Sequence, residues 1–188
     1  MSSEIKFQSD KTGNDERARG SDNRLNTSAR ADSRAYYNSR DEGQCYSAAF
    51  DFQSATAGEF ALYLKNDSSI GKDLVIDSIG INSAESSRMK LHFVSGVAAG
   101  GTDLTPTNLN GSSSNGATAT AMEGGSAATG ITGLTSDALI DFAYVESGGH
   151  EELRLKDRLR LGQNDAIALE YDEGTSGDVS GVVFFYFE

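Results

Sequence analysis

The chain has 188 residues, a formal net charge of −12, two histidines, one cysteine, one proline and no tryptophan. A lone cysteine excludes an intrachain disulfide, and with two separated histidines it also excludes a Cys/His zinc cluster. No apolar run approaches the ~20 residues that span a bilayer, so no membrane partner is expected. The acidity argues against nucleic acid, because phosphate would be repelled.

The charge is unevenly distributed. Residues 1–40 hold eight Lys/Arg against six acids, while the remainder holds eight against 22. A mildly basic segment therefore precedes a strongly acidic body, the asymmetry of an interaction tail on a soluble domain. The first residues, MSSEIKFQSDK, lack the apolar stretch of a signal peptide. The expectation is a chain made and used without Sec export.

Residues 1–44 show neither a helical nor a strand period, and Ile5, Phe7 and Leu25 are isolated among polar residues. Such a segment cannot bury enough apolar surface to offset ordering costs of roughly 1–2 kcal/mol per residue. It reads as an extended, arginine-rich arm over 1–44, ahead of a body over 45–188.

The body reads as short strands. EFALYLKN (59–66) places Phe60, Leu62 and Leu64 on one face, against Ala61, Tyr63 and Lys65 on the other. DLVIDSIGIN (73–82) is more continuously apolar. RMKLHFVS (88–95) alternates Met89, Leu91 and Phe93 with Lys90 and His92, which turns His92 toward solvent or a neighbouring subunit. Residues 96–137 are rich in Gly, Ser, Ala and Thr. A structureless loop of that length is uncommon in a compact domain, so an ordered excursion with one strand near ATATAM (117–122) is expected. LIDFAYVE (139–146) gathers Ile140, Phe142 and Tyr144. ELRLKDRLRL (152–161) holds a strand and a turn, DAIALEYD (165–172) alternates, and VSGVVFFYFE (179–188) is apolar on both faces. A strand of that last kind is buried on both sides, by its own layers or by a partner. With no convincing helix, the pattern predicts an all-β sandwich or barrel.

Motifs for phosphate loops, serine hydrolases and zinc proteases are missing from the sequence. Asp172, Glu173 and Asp178 in YDEGTSGD offer hard oxygens, but without EF-hand spacing they read as a polar hairpin turn. Asp141 and Glu170 would serve as a glycosidase pair only if they faced each other. Tyr63, Tyr144 and Tyr171 would make a sugar-stacking platform only if exposed. Cys45 has neither histidine in a catalytic context. An enzyme is not expected, nor a metal or other cofactor.

Three stretches, YYNSRDEGQCYSAAFDFQSATAGEFALYLKNDS (36–68), TPTNLNGSSSNGATATAMEGG (105–125) and LGQNDAIALEYDEGTSGDVSGVVFFYFE (161–188), resemble tailed-bacteriophage capsid decoration, or cement, proteins and related minor virion proteins. The resemblance covers roughly residues 36–188. It implies a jelly-roll β-sandwich on the exterior of an icosahedral head, made in the bacterial host cytoplasm and assembled as a homotrimer or dimer. The partner it implies is the major capsid protein, whose neighbouring subunits the chain would cement for capsid stabilisation. Arginine pairs bidentately with carboxylates and stacks on aromatic rings. Arg17, Arg19, Arg24, Arg30, Arg34 and Arg40, with Tyr36 and Tyr37, are therefore the expected partner-binding residues of the arm. A tail, fibre or vertex protein, and a jelly-roll carbohydrate-binding module, are the competing expectations.

Overall fold

The computed structural model describes residues 6–8, 15–17, 20–21, 24–25, 34–68, 71–126, 130–174 and 176–188. The chain divides into two compact units, Met1–Asp32 and Ser33–Glu188. The first contains two short antiparallel pairs, β1 (Lys6–Gln8) with β2 (Asp15–Arg17) and β3 (Gly20–Ser21) with β4 (Arg24–Leu25).

The second unit opens on one helical turn, α1 (Arg34–Tyr37), which runs into a π-turn over Asn38–Glu42. These residues, expected to be extended, coil because Gly43 closes the turn in the left-handed region at φ 59° and returns its N–H to the Asn38 carbonyl. The strands follow: β5 (Cys45–Ala55), β6 (Glu59–Asn66), β7 (Leu74–Ser83), β8 (Ser87–Ala99), β9 (Thr102–Leu104), β10 (Thr107–Asn108), β11 (Ala119–Glu123), β12 (Thr132–Val145), β13 (Gly149–Leu161), β14 (Ala166–Gly174) and β15 (Gly177–Phe187).

Eight of these strands form a jelly roll. The first long strand pairs with the last, β5 with β15, and the pairing continues inward as β6 with β14, β7 with β13 and β8 with β12. The eight strands alternate between a sheet ordered β10-β5-β15-β7-β13 and a sheet ordered β12-β8-β14-β6-β11-β9, except that β8 and β12 are neighbours in the second. This is the double-sheet solution to burying one apolar face of each layer. Among its described residues the excursion at 96–137 holds β9, β10 and β11 where one strand was expected.

The core lies between the sheets. Phe50, Phe52, Ile79, Ile81, Val183 and Phe185 come from the first; Leu62, Leu64, Met89, Leu91, Ile167 and Leu169 come from the second. Each such side chain contributes about 1.5–3 kcal/mol on burial. β15, between β5 and β7 in its sheet, turns Val183, Phe185 and Phe187 into the core, while on its outer face Tyr186 is buried and Val182 and Phe184 are half-buried.

Bulges overturn two face assignments. On β6, Leu62 pairs with Leu169 but Phe60 pairs with Glu170, so Ala61 is inserted and the phase reverses. Phe60 thus leaves the Leu62 and Leu64 row and packs with Tyr63, Val94 and Met122 on the other face. On β12, Ile140 is the inserted residue between Leu139 and Asp141. Ile140 packs toward the core, and Leu139 joins Phe142 and Tyr144 on the outer face, where all three are exposed.

Candidate functional site

The winding of a jelly roll places alternate turns at the same end, so the sandwich has two ends of different chemistry. At the end where the chain enters, asparagine side chains bond to backbone. Asn108 Nδ2 donates to the Gly43 and Asn115 carbonyls, at 2.8 and 2.9 Å. Asn110 Nδ2 donates to Ser39 O at 2.9 Å, and Asn115 Nδ2 to Glu42 O at 3.1 Å. The segment around NGSSSNG therefore clasps the entry turn, satisfying carbonyls that its π geometry leaves open. Asn66, fully buried, donates to Lys72 O and Leu161 O at 2.8 Å each and accepts from Ser68 N at 2.9 Å.

Of the expected partner-binding residues, those whose side chains are described sit on this entry turn. The Arg34 guanidinium pairs with the Glu188 carboxylate, which also accepts from Arg160 Nη2 at 2.9 Å. Burial opposes ionisation of Glu188, but the two guanidiniums outweigh it and hold the carboxyl below its usual range. Arg40 lies 5.0 Å from the Tyr36 ring centroid and bonds Asp41 through both Nε and Nη2. Tyr37 Oη donates to Glu42 at 3.3 Å. Tyr36 and Tyr37 remain 43% and 49% exposed. Of Arg34, Tyr36, Tyr37 and Arg40, Arg40 and Tyr36 are brought together, while Arg34 is held by Glu188 and Tyr37 by Glu42. Arg19 and Arg30 lie outside the described residues, as do the side chains of Arg17 and Arg24.

The opposite end is built from the turns after β5, β7, β12 and β14. Their closeness is fixed by backbone bonds: Gly58 N donates to Tyr171 O, Ala84 N to Asp178 O and Gly148 N to Ser83 O. Here Glu85, Glu146 and Glu173 are all exposed. A cleft of about 800 Å³ opens there, lined by Arg88, Tyr144, Glu146 and Glu173 among others. The Arg88 guanidinium pairs with Asp172, lies 3.0 Å from Glu173, and sits 5.9 Å from the Tyr144 ring centroid. Lys90 Nζ reaches Asp172 at 2.5 Å. The hydrogen bond from Lys90, then that from Arg88, holds the Asp172 carboxyl below its usual range. The Phe142 and Tyr144 rings meet edge-on at 5.7 Å, and Tyr144 is 60% exposed.

Other sequence candidates separate. Asp141 pairs in register with buried Leu91, and Glu170 with Lys90 of the outer row, so the two carboxylates face opposite sides of the sheet. Tyr63 and Tyr171 are buried, leaving Tyr144 as the exposed member of the imagined platform. His92 does not project into solvent. It is 8% exposed, with Nε2 2.7 Å from Glu170 Oε2. Cys45 is buried beside Val75 and Tyr186, and burial pushes its thiol pKa up, which removes nucleophilic character. Asp172 of the YDEGTSGD turn is engaged by Arg88 and Lys90, and the described residues hold no cluster of metal-ligating side chains.

Sequence reading missed the acidic end because its carboxylates come from different turns. The available signal was topological: in a jelly roll the turns near 85, 146 and 173 must converge. What fold and surfaces define is a jelly-roll β-sandwich preceded by an arginine-bearing unit. No family model, curated protein or solved structure matches the chain.

Proposed function

We propose that this chain is a structural protein of a tailed-phage virion. It binds the outside of the icosahedral head and joins neighbouring major capsid protein subunits, with the N-terminal segment as its clamp and a homo-oligomer, in preference a trimer, as its form. The observation that carries the reading is the division of the chain. A jelly roll whose core is assembled from residues 46–187 follows a separate unit that holds arginines and few apolar residues. The jelly roll recurs in viral capsid and lectin domains, and a stable disulfide-free body suits assembly in a reducing cytoplasm. The reading requires no catalytic step.

Deleting residues 1–32 tests it. The truncated chain should keep the cooperative melting of the sandwich yet bind purified heads at least tenfold more weakly, on the order of the loss of several charge-assisted bonds. Undiminished binding would remove the clamp. Quantitative mass spectrometry of virions supplies the second arm. A simple stoichiometric ratio to the major capsid protein supports the head position, a few copies move the chain to a tail, fibre or vertex, and absence removes the virion reading. The exposed Phe142 and Tyr144 rings favour a carbohydrate-binding module as the second reading, which a glycan array would test.

A further inference from the structure

We infer that Asn115, and more slowly Asn110, is a site of spontaneous deamidation, and that the reaction releases the entry turn that the two side chains clasp. The inference does not depend on the virion reading.

Asparagine followed by glycine occurs twice in the sequence, at Asn110–Gly111 and Asn115–Gly116. Both asparagines hold the same turn. Asn115 Nδ2 donates to the Glu42 and Gly43 carbonyls at 3.1 and 3.4 Å, and Asn110 Nδ2 to the Ser39 and Arg40 carbonyls at 2.9 and 3.5 Å. Deamidation begins when the backbone nitrogen of the next residue reaches the asparagine side-chain carbon. Glycine permits that approach, because it has no Cβ and the widest choice of backbone conformation. The fold itself does not require glycine at either place. Gly111 and Gly116 both have φ outside the left-handed region, and a Cβ on either would meet nothing within 4 Å. Asn38, Asn66, Asn82, Asn108 and Asn164 all precede residues that carry a side chain.

The step balances with water alone. Hydroxide takes the Gly116 N–H proton, and the nitrogen bonds to Asn115 Cγ. The Cγ–Nδ2 bond breaks, and Nδ2 leaves as ammonia with a proton from water. Water then opens the cyclic imide at either carbonyl. One opening gives aspartate; the other gives isoaspartate, with the main chain rerouted through the side chain. Exposure orders the two sites. Asn115 is exposed, and its Oδ1 has no hydrogen bond among the described residues. Asn110 is half-buried, and its Oδ1 also accepts from Ser112 N at 3.0 Å. The Asn115 side chain is therefore the freer to turn toward its neighbour's nitrogen.

Either product undoes the clasp. The amide donor becomes a carboxylate oxygen, which accepts only and cannot bond the carbonyls it faces. Isoaspartate also lengthens the backbone between residues 115 and 116, and so displaces the Gly116 carbonyl that accepts from the buried Tyr46 Oη at 3.2 Å. The turn so released carries Arg34, Tyr36, Tyr37 and Arg40 and leads into β5.

The test is incubation of the purified full chain at neutral and at mildly alkaline pH, with peptide mass spectrometry and isoaspartyl methyltransferase labelling. Asn115 should convert first, at a rate that rises with pH, and Asn110 later. Conversion at Asn115 should be about tenfold or more faster than at Asn108, which precedes Leu109. Gly116→Ala should slow conversion at Asn115 about tenfold and leave thermal melting unchanged. Asn110→Asp with Asn115→Asp should speed amide hydrogen exchange about tenfold over residues 34–44, with exchange in β7 and β15 unchanged. If that double variant does not fold, Asn115→Asp alone is read in its place. Conversion at Asn115 no faster than at Asn108, or undiminished by Gly116→Ala, overturns the modification site. Exchange over 34–44 that is the same in the aspartate variant as in the wild type overturns the release of the turn.

Discussion

The two ends of the sandwich use polar side chains in opposite ways. At the entry end, Asn66, fully buried, Asn108 and Asn110, half-buried, and Asn115, exposed, bond carbonyls that the strands and the π-turn leave open. At the far end, Glu85, Glu146 and Glu173 turn outward, and bring their charge to a surface that also exposes Tyr144. Neutral amides that satisfy backbone are structural, since removing one strands a buried partner. Exposed carboxylates contribute little to stability; Glu173 is held by Arg88 at 3.0 Å, while Glu85 and Glu146 have no ion pair among the described residues. The ends are therefore separable by mutation: one should respond in stability, the exposed carboxylates of the other scarcely at all.

The largest effect is expected at Asn66. Its side chain makes three bonds in a fully buried site, tying Ser68 and Lys72 to Leu161 at the end of β13. Asn66→Ala leaves two carbonyls and one N–H without that partner, and should cost about 3 kcal/mol in urea-induced unfolding. A loss below about 1 kcal/mol, within the range of a solvated bond, would mean that water replaces the amide and that the entry end is not sealed.

Much of this contrast was legible in the sequence, and the remainder was hidden for physical reasons. Period-2 alternation located β6, β8 and β14 because one face of each was apolar, and β15 was located as a run apolar on both faces. It failed at Phe60 and at Ile140, because a single inserted residue reverses every side chain beyond it. The excursion at 96–137 looked like low complexity, since asparagines that bond backbone carry no apolar period. The entry turn lacked any signal besides Gly43, whose positive φ ends the coil. The acidic end was invisible residue by residue and follows only from the strand order.

A smaller effect, confined to low pH, should come from Asp172. Lys90 and then Arg88 hold its carboxyl below the usual range. The ionised form thus favours the folded state. Its contribution is complete above the unfolded value, about 3.9, and is lost as pH falls through the lower folded value. Asp172→Asn should melt below the wild type at neutral pH, with the gap closing toward about pH 2 as the wild-type carboxylate is protonated. A gap that stays constant over that range would assign the loss to packing and not to charge.

The smallest expected change in stability is at Glu146, and its smallness is the point. The residue is exposed and has no ion pair among the described residues, and its backbone carbonyl, which accepts from Gly149 N, is untouched by substitution. Glu146→Lys should shift unfolding free energy by no more than about 0.5 kcal/mol, the usual range for a surface change away from caps and networks. The shift should, if anything, be stabilising at low salt, because the substitution relieves repulsion from Glu85 and Glu173 across the same end. Marked destabilisation would place Glu146 in the structure of the turn, alongside the asparagines of the entry end.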